Sequence, residues 1–254
     1  MSLINAQYLK AIGDIVALGK EVKPRDLTCL ELTNHQFVAP MTHPIITLIN
    51  RKLSYRFMAA EAAWMLSGDN RVSSISKYCK AIYKFSDDGI FFFGAYGPKI
   101  IDQISYAADC LRNDIHSRQA VINIWRENPR PSKDVPCTLS LQFLIRDGAI
   151  HTIATMRSQD VWLGLPYDFF NFTAVTSAVA LMLREAYYPK LGKLSINAGS
   201  RHLYCTNLEA ARSMFKDPDE RRCPEINLIR STSVDDIVAK LYRVADKKDS
   251  IWDL

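Results

Sequence analysis

HTIATMRSQDVWLGLPYDFFNFT, residues His151 to Thr173, starts as an alternating run and turns polar at Met156-Arg157-Ser158-Gln159-Asp160. It breaks at Gly164-Leu165-Pro166 and resumes as an apolar, helix-like segment from about Asp168. Alternation marks a half-buried strand, and Gly and Pro mark the place where it stops. A strand bound for the core does not end in arginine unless the cation meets an anion or carboxylate. Arg157 and Ser158 beside Asp160 therefore suggest a small-anion pocket at a change of chain direction. Asp168 also has a plain explanation there, as the N-cap of the following helix.

The rest of the chain supplies a scaffold. Upstream, Thr138 to Ile145 alternates, turns at Asp147-Gly148 and returns as Ala149 to Arg157, a β-hairpin. Downstream, Phe169 to Tyr187 is a long apolar helix, Lys193 to Ile196 a short extended piece, and Thr206 to Phe215 and Val234 to Val244 two more helices. Towards the N-terminus the pattern predicts a first helix ended by Pro24, a strand over Leu27 to Val38 and a buried helix over Leu53 to Ser67. A helix over Asn70 to Phe85, with Tyr78, Ile82 and Tyr83 on its apolar side, precedes another over Lys99 to Arg112 and a strand over Ala120 to Arg126. Residues 1–254 read as one α+β domain with a mixed or antiparallel sheet packed with helices.

Composition narrows the function classes. The 254 residues are 48% hydrophobic and 23% charged, with a net charge of +5. The cations are scattered, which argues against a nucleic-acid surface but suits a phosphorylated small substrate. The six cysteines show no CxxC spacing, pointing to reduced thiols and a cytoplasmic setting without metal. The N-terminal pattern is amphipathic and unlike a signal peptide, and no run approaches a membrane span.

Several residues could carry chemistry. Cys137 opens a strand directly after Pro136, where a thiolate could act as nucleophile if cations lower its pKa; a small buried hydrophobe is the plainer alternative. Glu61 lies within an apolar helix, where a carboxylate is paired or functional; an ion pair with a core arginine is one explanation. Tyr96 sits between chain-turning glycines, and Arg118 follows His116-Ser117 at a strand entrance, where a surface arginine is the default. Alternation puts His202 and Tyr204 on one strand face, able to hold a sugar hydroxyl or to pair within the core.

Taken in order, these pieces resemble the thymidylate synthase family, pyrimidine-nucleotide C5 transferases. The markers are Arg25, Glu61 with Leu66-Ser67-Gly68-Asp69, Tyr96-Gly97, Ser117-Arg118, Pro136-Cys137, Arg157-Ser158-Gln159-Asp160, Leu163-Gly164-Leu165-Pro166 and His202-Leu203-Tyr204. They span Arg25 to about Cys205; beyond that the likeness fades, and no lid role is carried over to Ile251-Trp252-Asp253-Leu254.

The resemblance implies that Cys137 attacks C6 of the pyrimidine and that C5 then takes the one-carbon unit of 5,10-methylenetetrahydrofolate. It implies that Arg25, Arg157 and Ser158 hold the 5′-phosphate, with Arg118 donated across the interface of a homodimer built on a sheet face. His202 and Tyr204 would bind the 3′-hydroxyl, Glu61 would order water for proton transfer, and Tyr96 would stand near Cys137. Tyr83, Asp160, Leu163, Gly164 and Tyr167 would line the folate side.

Departures from the family pattern point to a branch. Asp168 stands where synthases carry the asparagine that reads uracil, Thr138 where they have histidine, Met156 where they have glutamine, and Tyr83 where they have a folate-stacking tryptophan. Gln119 replaces one arginine of the family's pair. A carboxylate matches the N4 donor and, with one proton, the N3 acceptor of cytosine, and a mismatched polar edge is penalised heavily. The expected activity is hydroxymethylation of dCMP, as in the (deoxy)cytidylate 5-hydroxymethylase branch. CMP as substrate, a methylated product, action on dUMP and an inactive nucleotide- or RNA-binding homologue are the alternatives.

Overall fold

The computed structural model describes residues 1–216, 218–222 and 225–254. Among them, six strands form one mixed sheet: β1 (Lys20–Val22), β2 (Cys29–Pro40), β3 (Val121–Asn123), β4 (Thr138–Arg146), β5 (Ala149–Asp160) and β6 (Lys190–Tyr204). Their order is β1-β2-β6-β5-β4-β3, with β5 and β6 parallel and the other neighbours antiparallel. The expected hairpin is present. Asp147 and Gly148, both at positive φ (52° and 72°), turn β4 onto β5, the backbone that an Asp-Gly pair favours.

One sheet face is covered. Phe37, Leu141, Phe143, Ile150, Ala154, Met156, Leu194 and Ile196 are buried, part of one core with the helices α1 (Leu3–Leu18), α2 (Tyr55–Leu66), α4 (Gly97–Asn113) and α5 (Leu165–Met182). The alternate residues Val38, Leu144, Ile153 and Ser195 stay partly exposed on the other face. α5 is apolar nearly all round and central. Its buried Thr173, Thr176 and Ser177 hydroxyls donate to carbonyls four residues back, at 2.8, 2.7 and 2.9 Å, so their burial leaves no orphan donor. No helix of the described residues is long and apolar enough to cross a membrane.

Several boundaries differ from expectation. Residues 70–85 are not one helix: α3 (Val72–Ser76) stops, Cys79 is extended, and a 3-10 turn covers Lys80–Phe85. The break lets the Tyr78 hydroxyl reach Asp246, at 2.8 Å, and leaves Tyr83 exposed rather than on an apolar face. The short piece at Lys193 is the fifteen-residue β6, because pairing on both edges overrides its polar start. The strand expected over Ala120 to Arg126 shrinks to β3.

α5 begins at Leu165 and ends at Met182, earlier at both ends than expected. Gly164 is its N-cap and Pro166 lies in its first turn, so Asp168 is not a cap; its own N–H donates to the Gly164 carbonyl at 2.9 Å. The C-terminal part holds α6 (Leu208–Ser213) and α7 (Val234–Ala245), with α7 packed on α2. The five described cysteines are free thiols; Cys223 lies outside the described residues.

Candidate active site

β4 and β5 bring Cys137 and Arg157 together through the backbone. The Arg157 N–H donates to the Cys137 carbonyl at 2.8 Å, just where the β4–β5 register shifts between Thr138 and Ser140. The Arg157 guanidinium folds back over the same corner. Its Nε and Nη2 donate to the carbonyls of Pro136 and Val135, at 2.9 and 3.0 Å, and Nη2 lies 3.8 Å from the Cys137 Sγ. Arg157 is nonetheless exposed.

The alternation of burial slips by one residue in both parallel strands at the same level. In β5 it slips between Met156 and Gln159, and in β6 between Ala198 and Arg201. Such irregularities re-aim side chains at the end of a sheet. Below the slip the helix-facing residues are apolar except Thr152, whose hydroxyl pairs with Thr176 of α5 at 2.6 Å. Above it they include Gln159 and Arg201, both buried polar groups. On the other face His202 and Tyr204 stand with ring centroids 5.0 Å apart, edge to face, as the alternation predicts.

Tyr96 lies where α4 begins, and its phenol oxygen accepts the backbone N–H groups of Cys137 and Thr138 at 3.2 and 3.1 Å. Gly94, two residues earlier, is needed for the close approach: a Cβ there would meet the Asp134 carbonyl at 2.5 Å. The Gly94 N–H donates to Asp134 at 2.7 Å, tying the segment to the loop before Cys137.

Glu61, on α2, is half-buried, and Asn171 of α5 donates to it from Nδ2 at 2.7 Å; among the described residues no core arginine pairs with it. Burial raises its carboxyl to about 7, with the Asn171 bond opposing. Asp168, one turn before Asn171, is raised to about 7 by burial first and then by the Glu61 charge, while Gln159 and Arg201 pull the other way. Two carboxyls thus sit near neutrality side by side, an arrangement suited to moving protons.

Cys137 faces mixed influences. Burial raises its thiol; the Arg157 and Arg25 cations lower it, and Asp168 and Asp134 raise it. Burial also raises Tyr96 and Asp160 and lowers His202. Arg25, exposed on a 3-10 turn at φ 51°, is close enough for its charge to be felt at both Cys137 and His202. A non-glycine residue held there is strained, and such strain gathers at ligand clamps.

Beyond the carboxyls, Asp160 Oδ1 accepts the N–H groups of Trp162 and Leu163 at 2.7 and 2.9 Å, shaping a turn that leaves Leu163 exposed. Gly164 closes it, and a Cβ there would meet Asp168 Oδ2 at 3.2 Å. Tyr167 stands edge to face with Phe57 at 5.5 Å, and its hydroxyl accepts the Ser54 N–H at 3.2 Å. The turn thus sets an exposed apolar ledge beside a fixed carboxylate. Tyr83 is also exposed, but its hydroxyl packs against Gly89.

Cys137, Arg157, Ser158, Asp160, Asp168, His202, Tyr204, Tyr96 and Glu61 thus gather at one end of the sheet. Arg118 does not join them. Its carbonyl accepts from Gln142, four residues along β4 from Thr138 and so roughly 13 Å away. There it lines a separate surface concavity with His116, Ser117, Gln119 and Arg146. Sequence reasoning missed Arg201. The signal was present: alternation puts it on the face of the buried Leu203, opposite His202 and Tyr204.

A family model described as thymidylate synthase matches residues 6–248. The match runs well past Cys205, so the likeness is not confined to Arg25–Cys205 and takes in α6 and α7.

Proposed function

We propose, from the premise that the chain belongs to the thymidylate synthase family, that this protein hydroxymethylates C5 of a cytidine monophosphate, most simply dCMP. The family is one of folate-dependent one-carbon transferases acting on pyrimidine C5. The observation that carries the finer reading is Asp168, a carboxyl raised to about 7 and held at the floor of the site in place of an amide. A carboxyl sharing one proton with N3 and accepting from N4 pairs with cytosine on both positions. With that proton on the oxygen facing N3, the same group opposes the N3–H of uracil with a second donor and its O4 acceptor with a second acceptor.

In this reading Arg25, Arg157 and Ser158 hold the 5′-phosphate and His202 and Tyr204 the 3′-hydroxyl. Cys137 Sγ adds to C6, and the proton shared by Asp168 and N3 draws electron density from the ring as the C–S bond forms. C5 thereby becomes the nucleophile. Methylenetetrahydrofolate supplies the one-carbon unit. Loss of the C5 proton then breaks the bond between that carbon and the folate nitrogen, releasing tetrahydrofolate, and water adds to the exocyclic methylene left on C5. Glu61, near neutrality beside Asn171, exchanges protons with that water. Elimination of Cys137 restores the ring. The sum is cytidylate, methylenetetrahydrofolate and water giving 5-hydroxymethylcytidylate and tetrahydrofolate.

Asp160, Leu163, Gly164, Tyr167 and Tyr83 are the residues proposed to meet the folate. A homodimer is also proposed, built on the partly exposed sheet face of Val38, Leu144 and Ile153. Support for it is the position of Arg118, too distant along β4 to meet a phosphate at Arg157 of its own chain. Asp168→Asn tests base choice: preference should move from dCMP towards dUMP by at least about tenfold. An unchanged preference would mean that other groups read the base.

A further inference from the structure

Arg201 is the largest fully buried side chain among the described residues, and it takes part in none of their ion pairs. An isolated buried charge is costly, so its bonds need an account. Its Nε donates to Gln159 Oε1 at 2.8 Å, Nη1 to His35 Nδ1 at 2.8 Å and Nη2 to the Ile196 carbonyl at 3.1 Å. A guanidinium can only donate. Polarity therefore spreads from it in both directions.

On one side His35 Nδ1 must accept, which places the ring proton on Nε2. That nitrogen faces Asp14 Oδ2 at 3.3 Å, and Asp14 is held in turn by Lys10 at 2.6 Å. Towards the site, Gln159 Oε1 is occupied, so its amide nitrogen must point away from Arg201. It lies 3.3 Å from Asp168 Oδ2 and 3.4 Å from Met156 Sδ. The amide nitrogen also only donates. Oδ2 is thus fixed as an acceptor, and a proton carried by Asp168 resides on Oδ1.

We propose that Arg201 is a positioning residue for base recognition: through Gln159 it fixes which oxygen of Asp168 carries the proton offered to N3 of the pyrimidine. The inference rests on the reading of Asp168 as the base-pairing group. With Oδ1–H facing N3, Oδ2 is left to accept from N4, and the pair matches cytosine. With the amide reversed, Gln159 Oε1 would face Oδ2, draw the proton there and present the wrong partner to each ring position.

Arg201 also acts through charge. The groups that bear on Asp168 are Glu61 from α2, Asp160 from β5 and Arg201 from β6; Cys137 and Tyr96 feel Asp168 in turn. Glu61 and Asp160 favour the neutral carboxyl, and Arg201 favours the ionised one. Removing Arg201 makes Asp168 hold its proton to higher pH. The dCMP reaction needs that one proton, so the alkaline limb of its kcat/KM should move up.

The test uses the full chain with methylenetetrahydrofolate and C5-tritiated dCMP and dUMP, followed across pH. Arg201→Met should lower the dCMP-to-dUMP ratio of kcat/KM at least about tenfold and move the alkaline limb upward. Arg201→Lys, which keeps the charge without the fork, should lower the ratio and leave the limb in place. A folded Arg201→Met protein with the wild-type ratio and limb overturns the proposal. If that variant does not fold, Gln159→Leu, which leaves Arg201 its bonds to His35 and Ile196, must show the same loss of base choice; a wild-type ratio there overturns it equally. The Asp168→Asn arm separates the two levels. If it leaves base preference unchanged, the reading of Asp168 fails; if it shifts preference while both other positions are silent, only the role of Arg201 fails.

Discussion

The Tyr96 phenol oxygen accepts the Cys137 backbone N–H at 3.2 Å, and the same oxygen accepts the next amide, that of Thr138, at 3.1 Å. Two helix and strand starts are thereby fixed on one atom, and that atom sets the height at which the Cys137 thiol meets the site. Tyr96→Phe leaves both amides without this acceptor. Each buried amide so stranded costs about 1–3 kcal/mol. The variant should melt several degrees lower and lose kcat by about 10- to 100-fold with a smaller change in KM. Thermal melts and steady-state kinetics check this; an unchanged kcat would show that Cys137 is positioned without Tyr96.

Cys137 and Arg157 are tied at 3.8 Å, and the Arg157 cation opposes the rise that burial imposes on the thiol. In the free protein the thiolate fraction should therefore be below that of an ordinary thiol, and Arg157→Met should depress it further. Iodoacetamide labelling of Cys137 at mildly alkaline pH, followed by peptide mass mapping, should slow several-fold in the variant. Cys79, Cys110 and Cys205, also partly exposed, serve as internal controls. Equal labelling rates in the two proteins would remove Arg157 from the account of thiol activation.

Asp168 carries a stability consequence with a definite sign. Its carboxyl is raised from 3.8 to about 7 in the folded protein, so the native state holds the proton more tightly than the unfolded chain. The contribution of Asp168 to native stability therefore falls as pH rises from about 4 to about 7 and stays lowered above that. An asparagine has no such dependence. Asp168→Asn should raise Tm more at about pH 8 than at about pH 5, a gain of a few degrees. A pH-independent difference in Tm would mean that the carboxyl is not perturbed. A larger gain at the higher pH would place Asp168 among residues kept at a cost in stability.

Local chemistry that dominates its own neighbourhood could be read from the sequence. Asp147-Gly148 demanded a turn, and the alternation of Thr138 to Arg157 left one register for the hairpin. Polar clusters at strand ends marked Arg157, Asp160 and His202. What escaped was set by tertiary partners. β6 begins with Lys190 and Lys193, and only its neighbours on both edges make it a strand. Residues 70–85 were misread because the pull of Asp246 on Tyr78 comes from a helix far along the chain. Asp168 looked like a cap because Gly164-Leu165-Pro166 looked like a break, whereas Pro166 opens the helix. Arg201 was passed over because arginines are seldom buried, although Leu203 shared its face.

We propose that a carboxyl at position 168 makes this family member act on cytosine, with a hydroxymethyl group as the unit added. Mass analysis of the nucleotide formed from dCMP, with the folate product identified in the same reaction, tests it most directly. dCMP should gain one CH2O unit while tetrahydrofolate is released, and dUMP under the same conditions should be a poor substrate. A gain of CH2 with dihydrofolate accumulating, or turnover of dUMP alone, would contradict it.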